Sequence, residues 1–83
     1  MKTVNRIKKS LVDQAIRSGG APPAVPGVSS EHMAVLVLHA YHPAMQKNDP
    51  DGAKTAMARA LADYQAGRLK IKRQWGAYHI LQE

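Results

Sequence analysis

Arg68, Lys70, Lys72 and Arg73 fall in a stretch that contains no acid, and Trp75 and Tyr78 follow closely. Ammonium and guanidinium groups bind phosphate through charge and hydrogen bonds, and a guanidinium does so with two bonds at once. Aromatic rings beside cations can stack on unpaired bases. A second basic stretch lies at the other end of the chain. Residues 1–20 carry Lys2, Arg6, Lys8, Lys9 and Arg17 against Asp13 alone. Residues 21–67 carry Lys47, Lys54 and Arg59 against Glu31, Asp49, Asp51 and Asp63, which is close to neutral. Two basic ends around such a body point to a polyanionic partner, or to a protein surface that normally meets one. The contact is expected from Arg68, Lys70, Lys72, Arg73, Trp75 and Tyr78, with Lys2, Arg6, Lys9 and Arg17 in support.

Other chemistries find less support. His32, His39 and His42 share a face if their segment is helical, and His79 is distant. No nearby carboxylate completes a metal-ligand spacing, and the thiolates usual in structural zinc sites are missing. Hydrogen-bonding or capping histidines explain them better. Ser10, Ser18, Ser29 and Ser30 lack a Gly-x-Ser-x-Gly setting. Asp49 and Asp51 read as helix-start residues rather than an acid–base pair. Gly19, Gly20 and Gly27 have no strand–glycine–helix context with a following Lys-Ser/Thr to cradle a phosphate. No catalytic activity, cofactor or metal is expected.

The totals bound what can position these residues. A chain of 83 residues makes one domain at most. It buries roughly 60–65% of its unfolded surface, so its core is small. With no cysteine, neither disulfide nor thiolate-bound metal can staple it. Association with itself or with a target is the usual remaining support. The absence of cysteine fits a reducing cytoplasm. The longest apolar run, Met33 to Leu38, is far below the roughly 20 residues that span a bilayer, so no membrane insertion is expected. No secretory leader is expected, because residues 1–20 lack a continuous apolar stretch. Their basic, acid-poor pattern does overlap with that of a mitochondrial transit peptide.

Residues 3–18 read as a basic amphipathic helix. Val4, Ile7, Leu11 and Ala15 fall at helical spacing, with Val12 and Ile16 beside them. Gly19-Gly20 would end it. Residues 19–29 form a Pro/Gly-rich connector, which leaves room for exchange of the first helix between two protomers. Residues 30–42 read as a second helix, capped by Ser29 or Ser30 and ended by Pro43, although Val35 to Leu38 would also suit a strand. Residues 49–66 give the clearest pattern. Asp49 caps, Pro50 opens, an apolar stripe runs from Ala53 to Tyr64, and Gly67 closes. Residues 68–82 read either as a hairpin turning at Gln74-Trp75-Gly76 or as a fourth helix weakened by Gly76, with the hairpin slightly favoured.

The expected fold is mainly α. It is a small three-helix domain with a C-terminal β-hairpin or fourth helix, divided into residues 1–18, 19–29 and 30–83. This order would permit a winged-helix-like arrangement, though no helix-turn-helix signature supports it. The expected function is that of a small non-enzymatic, nucleic-acid-associated regulatory protein that binds a polyanion through its basic termini. The alternative is a small inhibitor or adaptor, of the kind phages and bacteria use as accessory proteins. It would dock on a nucleic-acid-handling enzyme through an anchor such as Trp75, Tyr78 or Tyr64.

Overall fold

A computed structural model describes residues 1–18 and 25–83. Strand β1 (Lys2–Lys8) runs directly into helix α1 (Lys9–Arg17). Helix α2 (Ser30–Leu36), a π-helical segment (Val37–Tyr41) and α3 (His42–Gln46) follow as one continuous rod. Helix α4 (Pro50–Gln65) precedes the strands β2 (Leu69–Gln74) and β3 (Ala77–Gln82).

The three strands form one antiparallel sheet in the order β1-β3-β2. The fold is therefore an α+β mix rather than mainly α, and residues 69–82 hold a hairpin in place of a fourth helix. The larger correction concerns the N-terminus. The helix expected over residues 3–18 begins only at Lys9, and residues 2–8 are the third strand of the sheet. A β-bulge between Thr3 and Asn5 puts one extra residue into β1. The bulge breaks the two-residue alternation that would have marked a strand. Val4 and Ile7 then imitate helical spacing with Leu11 across the strand–helix junction.

The second helix also departs from expectation. Pro43 does not end it; His42 keeps α-helical angles (φ −61°, ψ −44°), and the rod continues to Gln46. A proline ring clashes with the carbonyl four residues back, here that of His39. The π-helical segment answers that clash. The His42 N–H donates to the Val37 carbonyl, five residues back, so the widened turn passes the proline without a break. At the rod's start the Ser29 side chain accepts from the His32 N–H at 3.1 Å. In α4 the Asp49 carboxylate accepts from the Gly52 N–H at 2.9 Å. Gly67, at φ +81°, ends α4. There the Arg68 N–H donates to Asp63 O and the Gly67 N–H to Tyr64 O, the paired bonds of a Schellman end.

Helices α1, α2 and α4 lie against one face of the sheet. Ile7, Leu69, Tyr78 and Ile80 from that face pack with Val12 of α1, Met33 to Leu36 of α2 and Ala60 of α4. Val28 joins them from a tight Val25–Val28 turn. The rest of the expected connector, residues 19–24, lies outside the described residues, as do the Gly19-Gly20 helix stop and any sign of exchange between protomers. No helix among the described residues is long and apolar enough to cross a membrane.

Candidate nucleic-acid interface

The strand register fixes what the other face of the sheet carries. Side chains alternate across a strand, and those in register lie side by side. With Ile7, Tyr78 and Ile80 turned toward the helices, the opposite face holds three rungs. Lys8, Ala77 and Gln74 form one, Arg6, His79 and Lys72 the next, and Thr3, Leu81 and Lys70 the third. Arg6, Lys8, Lys70 and Lys72 are all exposed, and no acid stands on any rung. Strands lie about 4.8 Å apart and alternate residues about 6.6 Å apart, so the four cations span about 10 Å across and about 13 Å along the sheet. The basic segments at the two ends of the sequence thus meet on one surface, because β3 pairs with both β1 and β2.

Cations elsewhere are partly neutralised. The Arg68 guanidinium lies 3.1 Å from the Asp63 carboxylate, Lys9 Nζ 2.9 Å from Asp13, and Arg73 3.7 Å from Glu31. Arg73 shares its register with Tyr78 and so belongs to the helix-covered side. Lys2 pairs with Gln82 at the far end of the sheet, and Arg17 sits in the last turn of α1, where a cation suits the helix dipole. None of the four open-face cations forms an ion pair among the described residues. Of the ten residues expected to make contact, the open face gathers Arg6, Lys70 and Lys72. Lys9, Arg68 and Arg73 are held by acids. Tyr78 is 1% exposed in the core and cannot serve as a surface anchor.

Trp75 is the opposite case, 85% exposed at the hairpin tip. Trp75 and Gly76 form a two-residue turn with φ of 52° and 69°. Positive φ at both positions is the geometry of a type I′ turn, normally supplied by Asn-Gly or Asp-Gly. The turn adjoins the rung that carries Lys8, and the Lys9 N–H donates to the Gly76 carbonyl at 3.0 Å. The tip is thereby tied to the start of α1.

Two residues of this surface are missing from the sequence-derived set. Lys8 alternates with Arg6, a signal that becomes visible only once residues 2–8 are read as a strand. His79 lies between Arg6 and Lys72 at the centre of the face. Its Nε2 is closed off from solvent and has no hydrogen-bond partner among the described residues.

The remaining histidines have structural partners or stand alone. His32 Nδ1 lies 2.7 Å from the Tyr64 hydroxyl, with the two rings edge-to-face. That pair lines a shallow cavity of about 550 Å³ between α4 and the β2 edge, with Leu69, Lys70 and Ile71. Among the described residues the cavity lining holds no carboxylate or strong nucleophile to work with the imidazole. His39 Nδ1 lies 3.0 Å from the Asn5 amide nitrogen, and His42 is exposed. Among the described residues no three His, Asp or Glu side chains are placed to hold a metal ion.

No protein-family model, no curated protein and no solved structure matches this chain. Functional inference therefore rests on the surface itself.

Proposed function

We propose that this chain is a small non-enzymatic, nucleic-acid-associated regulatory protein whose open sheet face binds a phosphate backbone. One observation carries the reading. The β1-β3-β2 order collects Arg6, Lys8, Lys70 and Lys72 on a face with no acid and, among the described residues, no helical cover. Cations confined to solvated helix faces would need no such convergence. A net charge of +6 supports long-range attraction to a polyanion. Binding should weaken steeply with salt. Four neutralised phosphates give a slope of log K against log salt of about −3 on single strands and nearer −4 on duplex. Titration of labelled DNA and RNA over a salt series tests this. Absence of binding at low salt would remove the reading.

Docking on a nucleic-acid-handling protein is the second reading, and a different surface favours it. Leu11 and Ile16 of α1 are exposed, and Leu11 borders a shallow groove with Val37, Leu38 and His42. Affinity capture with and without nuclease separates the two. A partner retained after nuclease treatment and lost with Leu11→Glu supports protein docking.

A further inference from the structure

We infer that Trp75 is a preformed stacking platform for an unpaired base, which makes single-stranded nucleic acid the ligand class of the open sheet face. The inference rests on the phosphate-binding reading of that face and assigns its selectivity.

Four observations support it. First, Trp75 occupies a position that the fold would fill better with another residue. Its φ of 52° lies in the left-handed region, where a bulky side chain is strained and Asn or Gly is at ease. Second, the indole returns nothing to the core for that strain, since it is 85% exposed. Strain combined with exposure of a large aromatic points to a function outside the fold. Third, the turn is anchored. The Lys9 N–H to Gly76 O bond at 3.0 Å and the Gln74–Ala77 pairing hold its backbone on both sides. Little backbone freedom is left to lose when a base stacks. Fourth, the turn that carries Trp75 adjoins the cationic face. Lys8 stands on the adjoining rung, Arg6 and Lys72 on the next, and Lys70 on the last. A backbone lying along those rungs brings a base to the tip.

The occupant follows from chemistry. Bases in a duplex are already stacked and do not offer a face to a side chain at the surface, whereas unpaired bases do. The centre of the sheet face has no exposed aromatic, because Tyr78 points into the core. Phosphate contact on the rungs and stacking at the tip are therefore separate functions on one surface.

Trp75 is the sole tryptophan, so its fluorescence reports the contact directly. The full chain is titrated at low salt with oligothymidylate of about 12 nucleotides, with a duplex of that length, and with an abasic deoxyribose-phosphate chain. The expected result is strong quenching by oligothymidylate. The abasic chain should bind without quenching and roughly 5- to 150-fold more weakly, the usual range for one lost stacked base. Trp75→Asn should lose a similar factor on oligothymidylate, bind the abasic chain as before, and unfold at a higher temperature than the parent. The rise in stability excludes misfolding as the cause of lost binding.

Quenching absent while oligothymidylate binds, or equal affinity of Trp75→Asn for it, overturns the stacking role and leaves the sheet-face reading standing. Equal affinity for duplex overturns the single-strand assignment. Failure of all three probes to bind overturns the sheet-face reading and this inference together. If Trp75→Asn then also releases a protein partner, the tip is a protein anchor.

Discussion

The bond between Asn5 and His39 ties strand β1 to the π-helical segment. Asn5 Oδ1 accepts from the Arg6 N–H at 2.8 Å, which turns the amide nitrogen toward His39 Nδ1 at 3.0 Å. His39 must therefore accept at Nδ1 and carry its proton on Nε2. Burial holds its pKa below the ordinary 6.5, since a charged ring would lose its water. The unfolded chain takes up the proton before the folded one. The stability this group contributes is complete above about pH 6.5 and is lost as pH falls toward the lowered folded value. Urea unfolding between pH 7 and pH 5 should show the decline, and His39→Gln should flatten it; an unchanged slope would exclude His39 as the source. Asp13 acts in a separate window. Its hydrogen bond to Lys9 lowers its pKa below 3.8, so its contribution fades only in stronger acid. Tyr78 supplies a second test. Its hydroxyl is buried without a partner among the described residues, and such a group costs about 1–3 kcal/mol. Tyr78→Phe should leave stability unchanged or raise it by about 1 kcal/mol in thermal unfolding. The identity of Tyr78 as an aromatic was plain in the sequence. Its burial was not, because position in a strand relative to the helical layer decides which way a side chain points.

The elements differ in how far local sequence determined them. Helix α4 is legible because its signals are local: Asp49 and Pro50 at the start, alanines at helical spacing, Gly67 at the end. Asp49→Ala should cost about 1 kcal/mol, lowering the thermal midpoint by about 4–8 °C. A midpoint unchanged within error would mean that the cap bond contributes nothing. The rod from Ser30 to Gln46 is half legible. Its cap and apolar centre are local, but its passage through Pro43 depends on widening the preceding turn, which no single residue announces. Strand β1 was the least legible. Its partners on β3 lie some 70 residues away, and its bulge erased the alternation a strand should show. Lys9–Arg17 is a helix, as its composition suggests, but of the apolar stripe expected there only Val12 is buried, while Leu11 is 49% exposed.

At the scale of the whole molecule, the order of strands converts a linear charge pattern into a surface. The sequence shows cations at both ends and cannot show that the ends are neighbours. Pairing of β3 with both edge strands makes them so, and it also sorts the cations. Arg68 and Arg73 fall among acids on the helical side, while Arg6 and Lys8 join Lys70 and Lys72 on the open side. The basic C-terminal cluster was therefore only half of the candidate site, and Lys8 belongs to the other half. The central claim is that both ends act as one interface. It is tested most directly by the salt dependence of single-stranded DNA binding in three double variants: Arg6→Gln with Lys8→Gln, Lys70→Gln with Lys72→Gln, and Lys47→Gln with Lys54→Gln as a control away from the sheet. Each sheet pair should reduce the magnitude of the slope by about 1.4, two phosphates at about 0.7 each, while the control leaves it unchanged. A slope altered by only one sheet pair, or equally by the control pair, would contradict a single interface built from both ends of the chain.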